Sequence, residues 1–296
     1  MTLEAKLSGW TGPSSDAEQE RQERTERMIR EAIDAHPPFN SCSLSVYAKG
    51  SYPNNTNVRA DSDVDISVQC HEVLYFDEAT PGSRTSGSPY EGIWTPYKLR
   101  SELEQALIAK FGTQVDTTGN VAIAINSSTS RVDADVTPCF DYRYYFANNR
   151  FREGARIYKR LAGSVENYPK QHLENGRAKN SATSTRFKKL VRILKRVNNT
   201  MNAESYHRDV PSFFIECLVY NCPNSVFNGS TWAARVKAAL VHIFESLDGA
   251  EPETESQRWT QVDGCKFLFH SGQKWTRQDG RDFAKAAWNH LGLADA

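Results

Sequence analysis

The stretch GSYPNNTNVRADSDVDISV, from Gly50 to Val68, decides how this chain folds. Just before it, Leu44, Val46 and Ala48 alternate with Ser45, Tyr47 and Lys49, the two-residue period of a strand with one buried face. That strand runs into Gly50-Ser51. A glycine there lets the backbone approach a phosphate, and a serine hydroxyl and amide can donate to it. After the polar loop YPNNTNVRAD a second strand, Val64–Val68, opens at Asp63-Val64-Asp65. Side chains at i and i+2 of a strand share a face, so the two carboxylates converge. Two hard oxygen ligands at that spacing suit Mg²⁺, which takes one or two carboxylates plus substrate phosphates. Asp-x-Asp alone is common, and two solvated carboxylates at a strand end fit the same letters.

A third carboxylate changes that balance. Arg131–Thr137 alternates so that Val132, Ala134 and Val136 face a core while Asp133 and Asp135 face away. A glycine-serine turn, a strand-borne Asp-x-Asp and a later strand-borne aspartate form a two-metal nucleotidyl-transfer arrangement. One ion lowers the pKa of an attacking hydroxyl, and the other holds the triphosphate and the leaving pyrophosphate.

Outward from these strands, residues 15–35 predict a helix, with Ser15 and Glu18 as a capping box and Met28, Ile29, Ala32 and Ile33 as its apolar stripe. Pro37-Pro38 ends it. Residues 71–95 read as irregular, 97–111 as a helix, and Val121–Ile125 as a strand joined to Arg131–Thr137 by a turn; Phe140–Phe146 extends the sheet. Beyond about residue 170 the character is helical, at 183–198, 211–221, 231–247 and 278–291. The expected organisation is a nucleotidyltransferase lobe over 1–160 that carries the N-terminal helix, and a helical lobe over 161–296, with a cleft between them.

Lys plus Arg equal Asp plus Glu at 36 each, so no global positive field marks a protein built to grip long nucleic acid. A nucleotide needs only a local cationic pocket. The six cysteines, at 42, 70, 139, 217, 222 and 265, form no CxxC pair and no zinc spacing, and read as buried thiols of a reducing compartment. No apolar leader and no run near the ~20 residues of a membrane span occurs, so the expected location is the cytoplasm.

The stretch from Gly50 to Val68 resembles the core motif of the bacterial cGAS/DncV-like nucleotidyltransferases, the CD-NTases, which make cyclic oligonucleotide signals in anti-phage CBASS defence. Further stretches resemble their uridine-using clade E: Asp135-Val136-Thr137-Pro138-Cys139, Asn167-Tyr168-Pro169-Lys170-Gln171-His172, Asn175-Gly176, Lys179-Asn180, Phe187 to Lys195 (FKKLVRILK) and Pro211 to Asn221 (PSFFIECLVYN). The resemblance is collinear from about Trp10 to Asn228 and weakens over the last ~65 residues. It implies an α+β fold, a polymerase-β-like sheet lobe plus a helical C-terminal lobe with the active site between them.

The resemblance also implies roles. Asp63, Asp65 and Asp135 hold two Mg²⁺ ions, for which Mn²⁺ can substitute, and Asp133 becomes a flanking carboxylate. Gly50 and Ser51 meet the nucleotide, Lys188 reaches the triphosphate and Ser212 contacts phosphate. Without it, Lys188 is one of six cations between Arg186 and Arg196 on a solvated helix face, and Ser212 is a helix cap. Asn167 matches the position whose side chain faces the nucleobase; an amide supplies the donor and acceptor that uracil's edge requires. The competing reading is a turn asparagine before Tyr-Pro. His172 and the Asn175-Gly176 turn read as structural.

The expected activity is synthesis of a pyrimidine-containing cyclic dinucleotide, cyclic UMP–AMP or cyclic di-UMP, from UTP and ATP by a monomer. An effector encoded nearby would bind the product. Neither a membrane nor activating DNA is expected. Two other classes compete: another polymerase-β-like transferase that modifies a small molecule or protein, and a non-catalytic nucleotide-binding relative. Three metal carboxylates disfavour the last, and the helical stretches disfavour the first. The tail Leu293-Ala294-Asp295-Ala296 reads as short and mobile. Some family members have their C-terminus conjugated by a ubiquitin-transfer-like partner, which nothing in this tail demands.

Overall fold

A computed structural model describes every residue except 59–62, 85–86 and 295–296. Ser62 of the aspartate motif, the loop residues before it and the last two residues of the tail lie outside the described residues. The chain forms two compact units: Ser14–Pro53 with Arg59–Pro169, and Met1–Pro13 with Asn54–Val58 and Lys170–Ala296.

Among the described residues the first unit is a seven-stranded mixed sheet backed by two helices. Its strands are β1 (Leu44–Lys49), β2 (Val64–Glu78), β3 (Val115–Asp116), β4 (Ile123–Ile125), β5 (Ala134–Tyr145), β6 (Phe151–Tyr158) and β7 (Ser164–Asn167), in the order β1-β2-β5-β4-β3, with β6 on β5 and β7 on β6. β2 and β5 run parallel and the other pairs antiparallel. Helix α2 (Asp16–Asp34) starts at Ser15, whose Oγ accepts the Glu18 amide, and α3 (Pro96–Phe111) starts at Thr95. Ile29, Ala32 and Ile33 of α2 and Leu99, Leu103 and Leu107 of α3 bury against Val64, Ile66, Val68, Val136, Ile123 and Ile125 on one sheet face. Each such buried leucine, isoleucine or valine stabilises the fold by ~1.5–3 kcal/mol. The opposite face is left for polar residues.

Three expectations change here. Strand β2 continues to Glu78, although 71–95 read as irregular. A register shift between Cys70 and Leu74 interrupts its alternation at His71-Glu72. Ala134–Thr137 and Phe140–Tyr145 belong to one strand, β5, running through Pro138, with Arg131–Asp133 just before it. Proline survives there because the last β4 pair is at Val136 and the first β6 pair at Phe140, leaving a gap in the ladder beside it. The sheet also ends later than 160, since β7 pairs with β6 and the units divide at Pro169/Lys170.

The second unit is helical: α1 (Leu3–Gly9), α4 (Pro169–Ala182, its first residue assigned to the sheet unit), α5 (Arg186–Ala203), α6 (Ser212–Asn221), α7 (Trp232–Ser246) and α8 (Arg277–His290). Helix α5 is its hub, with Phe187, Leu190, Val191, Leu194, Val197 and Met201 fully buried. The Glu4 carboxylate on α1 accepts the amides of Trp232 and Ala233, both at 2.9 Å, and so neutralises the positive end of α7. That contact ties the N-terminus to the helical unit. Leu293 is buried in this core, so the tail is anchored up to that residue rather than mobile. Among the described residues no helix is long and apolar enough to cross a membrane. None of the six cysteines is in a disulfide; four are buried and two partly exposed.

Candidate active site

Strand register assembles the site. Lys49 pairs with Asp65, and Asp65 with Asp135, so their side chains lie side by side on the polar sheet face. Asp63 precedes the first β2 residue and is exposed. Burial raises the Asp65 pKa above the usual carboxylate range; Lys49 pulls it back, and Asp135 and Asp63 push it further. Burial raises Asp135 as well, opposed by Lys49 and reinforced by Asp133. Asp133 is otherwise engaged, its carboxylate accepting the Ser127 amide in the turn before β5.

Gly50 lies close against Asp65. Its φ of +74° lies in the left-handed region, and a Cβ there would stand 2.6 Å from Asp65 Oδ2. Ser51 follows it, half-buried in the turn. Gly50→Ala is expected to lower product formation about a hundredfold, the cost of a ~1 Å misplacement at a reacting centre. The left-handed backbone would cost the fold a further ~1–2 kcal/mol. Turnover at saturating nucleotide and a urea unfolding curve measure the two; a wild-type rate would remove the Gly50 approach from the site.

Desolvated carboxylates that repel one another suit a divalent cation. Among the described residues no three His, Cys, Asp or Glu side chains form a finished ligand cage. The fit therefore rests on Asp65 and Asp135, with Asp63 felt electrostatically. The residue that sequence reading passed over is Lys49, whose Nζ donates to Thr137 Oγ1 at 3.2 Å. Its signal was present: in the alternation of β1 it falls on the face away from the core.

Asn167 is the last residue of β7 and pairs with Ala155, which pairs with Asp141 on β5. Stepping two residues at a time from Asp141 to Asp135 keeps it on the carboxylate face, at most roughly 20 Å along the strand. It is a strand residue, not a turn asparagine. Gly154 makes its position possible: a Cβ there would meet the Asn167 carbonyl oxygen at 2.7 Å and the Tyr168 ring at 2.9 Å.

Lys188 and Ser212 belong to the helical unit. Burial lowers the Lys188 pKa, opposed by Glu216 and reinforced by Arg177 and Arg192. Among the described residues its amine has no ion pair. Ser212 is the exposed first residue of α6 rather than its cap, which is Pro211, and no side chain caps that helix. Its hydroxyl is therefore not spent on capping.

The other family-like stretches meet inside the helical unit, around the segment Asn54–Val58, in which Asn54, Thr56 and Asn57 are buried. Thr56 Oγ1 donates to Glu216 Oε2 at 2.9 Å, and Lys195 Nζ donates to the Thr56 carbonyl at 3.1 Å and to Oγ1 at 3.3 Å. Lys195 and Glu216 pair at 3.4 Å, and His172 Nε2 lies 3.1 Å from Glu216 Oε1. Burial alone would raise Glu216, but Lys195, His172 and Thr56 hold it below the usual carboxylate range. Arg192 donates to the Asn55 carbonyl. Asn175-Gly176 is not a turn but mid-helix in α4, where Asn175 donates to the Val262 carbonyl at 2.9 Å. A Cβ at Gly176 would lie 3.2 Å from Asn54 Oδ1.

Comparison with known proteins agrees with this geometry. A profile of the cGAS/DncV-like nucleotidyltransferase C-terminal helical domain matches residues 174–292. A cyclic dipyrimidine nucleotide synthase of Cecembia lonarensis is 34% identical over 97% of this chain and 98% of that protein. A cyclic dipurine nucleotide synthase of Elizabethkingia meningoseptica is 32% identical over 98% of each. The solved c-UMP-AMP synthase of Rhodothermus marinus, with Apcpp and Upnpp, superposes with a TM-score of 0.83 at 28% identity, covering 98% of this chain and 96% of that one. The expected α+β architecture, a polymerase-β-like sheet unit and a helical C-terminal unit, is the one found. The chain belongs to the cGAS/DncV-like nucleotidyltransferases.

Proposed function

We propose that this nucleotidyltransferase makes a pyrimidine-containing cyclic dinucleotide, cyclic UMP–AMP first and cyclic di-UMP second, as a second messenger in CBASS anti-phage defence. The observation that carries the reading is the Asp65–Asp135 pair, with Gly50 against Asp65, on the sheet face that also carries Asn167. Relatives of similar identity are named for dipyrimidine and dipurine products. Family membership therefore leaves the base open, and Asn167 is the residue that chooses it.

The 3′-hydroxyl oxygen of one nucleotide bonds to the α-phosphorus of another, and pyrophosphate leaves. A second such step closes the ring, with no covalent link to the protein. Two Mg²⁺ ions (or Mn²⁺) on Asp63, Asp65 and Asp135 would lower the pKa of the attacking hydroxyl and neutralise the leaving pyrophosphate. Ser51 donates to phosphate from its hydroxyl and amide. Lys188 supplies positive charge to the triphosphate, and Ser212 donates from the uncapped start of α6. The Asn167 amide pairs with the O4/N3–H edge of uracil, where a purine is crowded. The proposal includes UTP and ATP as substrates, a monomeric enzyme in the bacterial cytoplasm and an effector that binds the product. Lys plus Arg equal Asp plus Glu at 36 each, so there is no global positive field, and the reading includes no DNA activator.

Asn167→Ser tests base choice. A well-placed polar contact discriminates by about 1–3 kcal/mol, roughly tenfold to over a hundredfold. Competition of UTP against ATP and GTP should show uridine use falling by that factor, with total turnover falling less. An unchanged base ratio would return Asn167 to a purely structural place at the end of β7.

A further inference from the structure

Between Ser51 and Asp63 the chain leaves the sheet unit, runs through Asn54–Val58 in the helical unit and returns. Surface loops rarely bury their polar residues, yet Asn54, Thr56 and Asn57 are 2%, 0% and 4% exposed. Burying that much polar backbone is unfavourable unless every group is paired. Here Thr56 Oγ1 serves as donor to Glu216 and acceptor from Lys195, and Arg192 and Lys195 hold the carbonyls of Asn55 and Thr56. A shorter, exposed connection would join the two strands without this arrangement.

We propose that Asn54–Val58, locked by Thr56, Lys195, Glu216 and His172, is a positioning strap for the catalytic turn Gly50-Ser51 just before it. This rests on the synthase reading above. Ser51 is three residues before the strap, so a shift of the strap passes along few bonds before reaching it. The strap supplies no reacting group; it fixes where Ser51 stands.

Gly176→Ala separates this role from a structural one. Alanine favours the α4 helix over glycine, and every hydrogen bond of the lock is kept. Its methyl meets Asn54 Oδ1 at 3.2 Å and moves the strap by a few tenths of an ångström. The expected result is a kcat lowered about three- to tenfold, with KM for UTP and ATP unchanged and the melting temperature level or higher. Thr56→Val, which keeps the shape but loses the hydroxyl, should lower kcat about tenfold, and Thr56→Ser should restore it to within about twofold. A structural strap predicts the opposite split: wild-type kcat in Gly176→Ala, and a lower melting temperature as the only change in Thr56→Val. If the wild type makes cyclic product and Gly176→Ala keeps its kcat, the strap proposal falls alone. If the wild type makes none, both readings fall.

Discussion

Asp63→Asn with Asp65→Asn should make no detectable cyclic product while the protein stays folded. The loss should exceed about a thousandfold, since it removes two of three acceptors proposed to hold the ions that the reaction needs. Stability supplies a second readout. Asp65 has a raised pKa in the folded protein, first from burial and then from Asp135 and Asp63. A raised carboxylate pKa means that the folded state favours the protonated form. Its stabilising effect is present at low pH and lost as pH rises through the folded value. The metal-free wild type should therefore lose stability over that interval, and the double variant should lose less and be at least as stable at neutral pH. Adding Mg²⁺ or Mn²⁺ at about a hundred times its Kd should stabilise the wild type by ~2.7 kcal/mol and leave the variant unmoved. Thermal melts across pH, with and without the ion, record all of this. Normal product from the variant, or an equal response to the ion, would remove these aspartates from the metal site.

Glu216→Gln should produce the largest loss of stability. It leaves Lys195, 2% exposed, as a buried cation without its counter-charge, and half-removes the partner of Thr56 and His172. Breaking one side of a buried ion pair costs about 3–5 kcal/mol, a large share of the ~5–15 kcal/mol that holds a domain folded. Lys195→Met in the same chain should recover much of it, because the orphaned charge goes too. The pH dependence has a definite sign. Glu216 is held below its ordinary range, so its contribution is complete above the unfolded carboxylate pKa and is lost as pH falls through the folded value. The gap between wild type and variant in urea unfolding should be widest at neutral pH and close in acid. A gap of under ~1 kcal/mol at neutral pH would mean that the network is not holding the helical unit.

Much of the sheet unit was legible because alternation reports which face a residue takes. Leu44, Val46 and Ala48 on β1 and Val132, Ala134 and Val136 at the start of β5 marked the core face, which left Asp65 and Asp135 on the other. Where alternation broke, reading failed. The register shift after Cys70 hid the second half of β2, and the run of β5 through Pro138 rests on a gap in the ladder set by where β4 and β6 end, which no local pattern reports. Helix α4 was missed for a different reason. It carries Lys170, Gln171, His172, Glu174, Asn175 and Gly176 in its first turns, with no apolar stripe, because its inward face is satisfied by hydrogen bonds instead of hydrophobic contact. The same holds for the lock on Asn54–Val58. Thr56, His172, Lys195 and Glu216 are up to 160 residues apart, and no local pattern announces that they meet. Lys49 could have been found from the alternation that placed Asp65, had its partner across the strand been considered.

The most direct measurement is an incubation of the purified chain with all four labelled nucleoside triphosphates and Mg²⁺ or Mn²⁺, followed by mass analysis of the products. The expected result is a cyclic dinucleotide containing at least one uridine, cyclic UMP–AMP or cyclic di-UMP, with pyrophosphate released for each bond made. A product of purines alone would contradict the role of Asn167, and no cyclic product at all, under conditions where the chain is folded and binds the ion, would contradict the synthase reading itself.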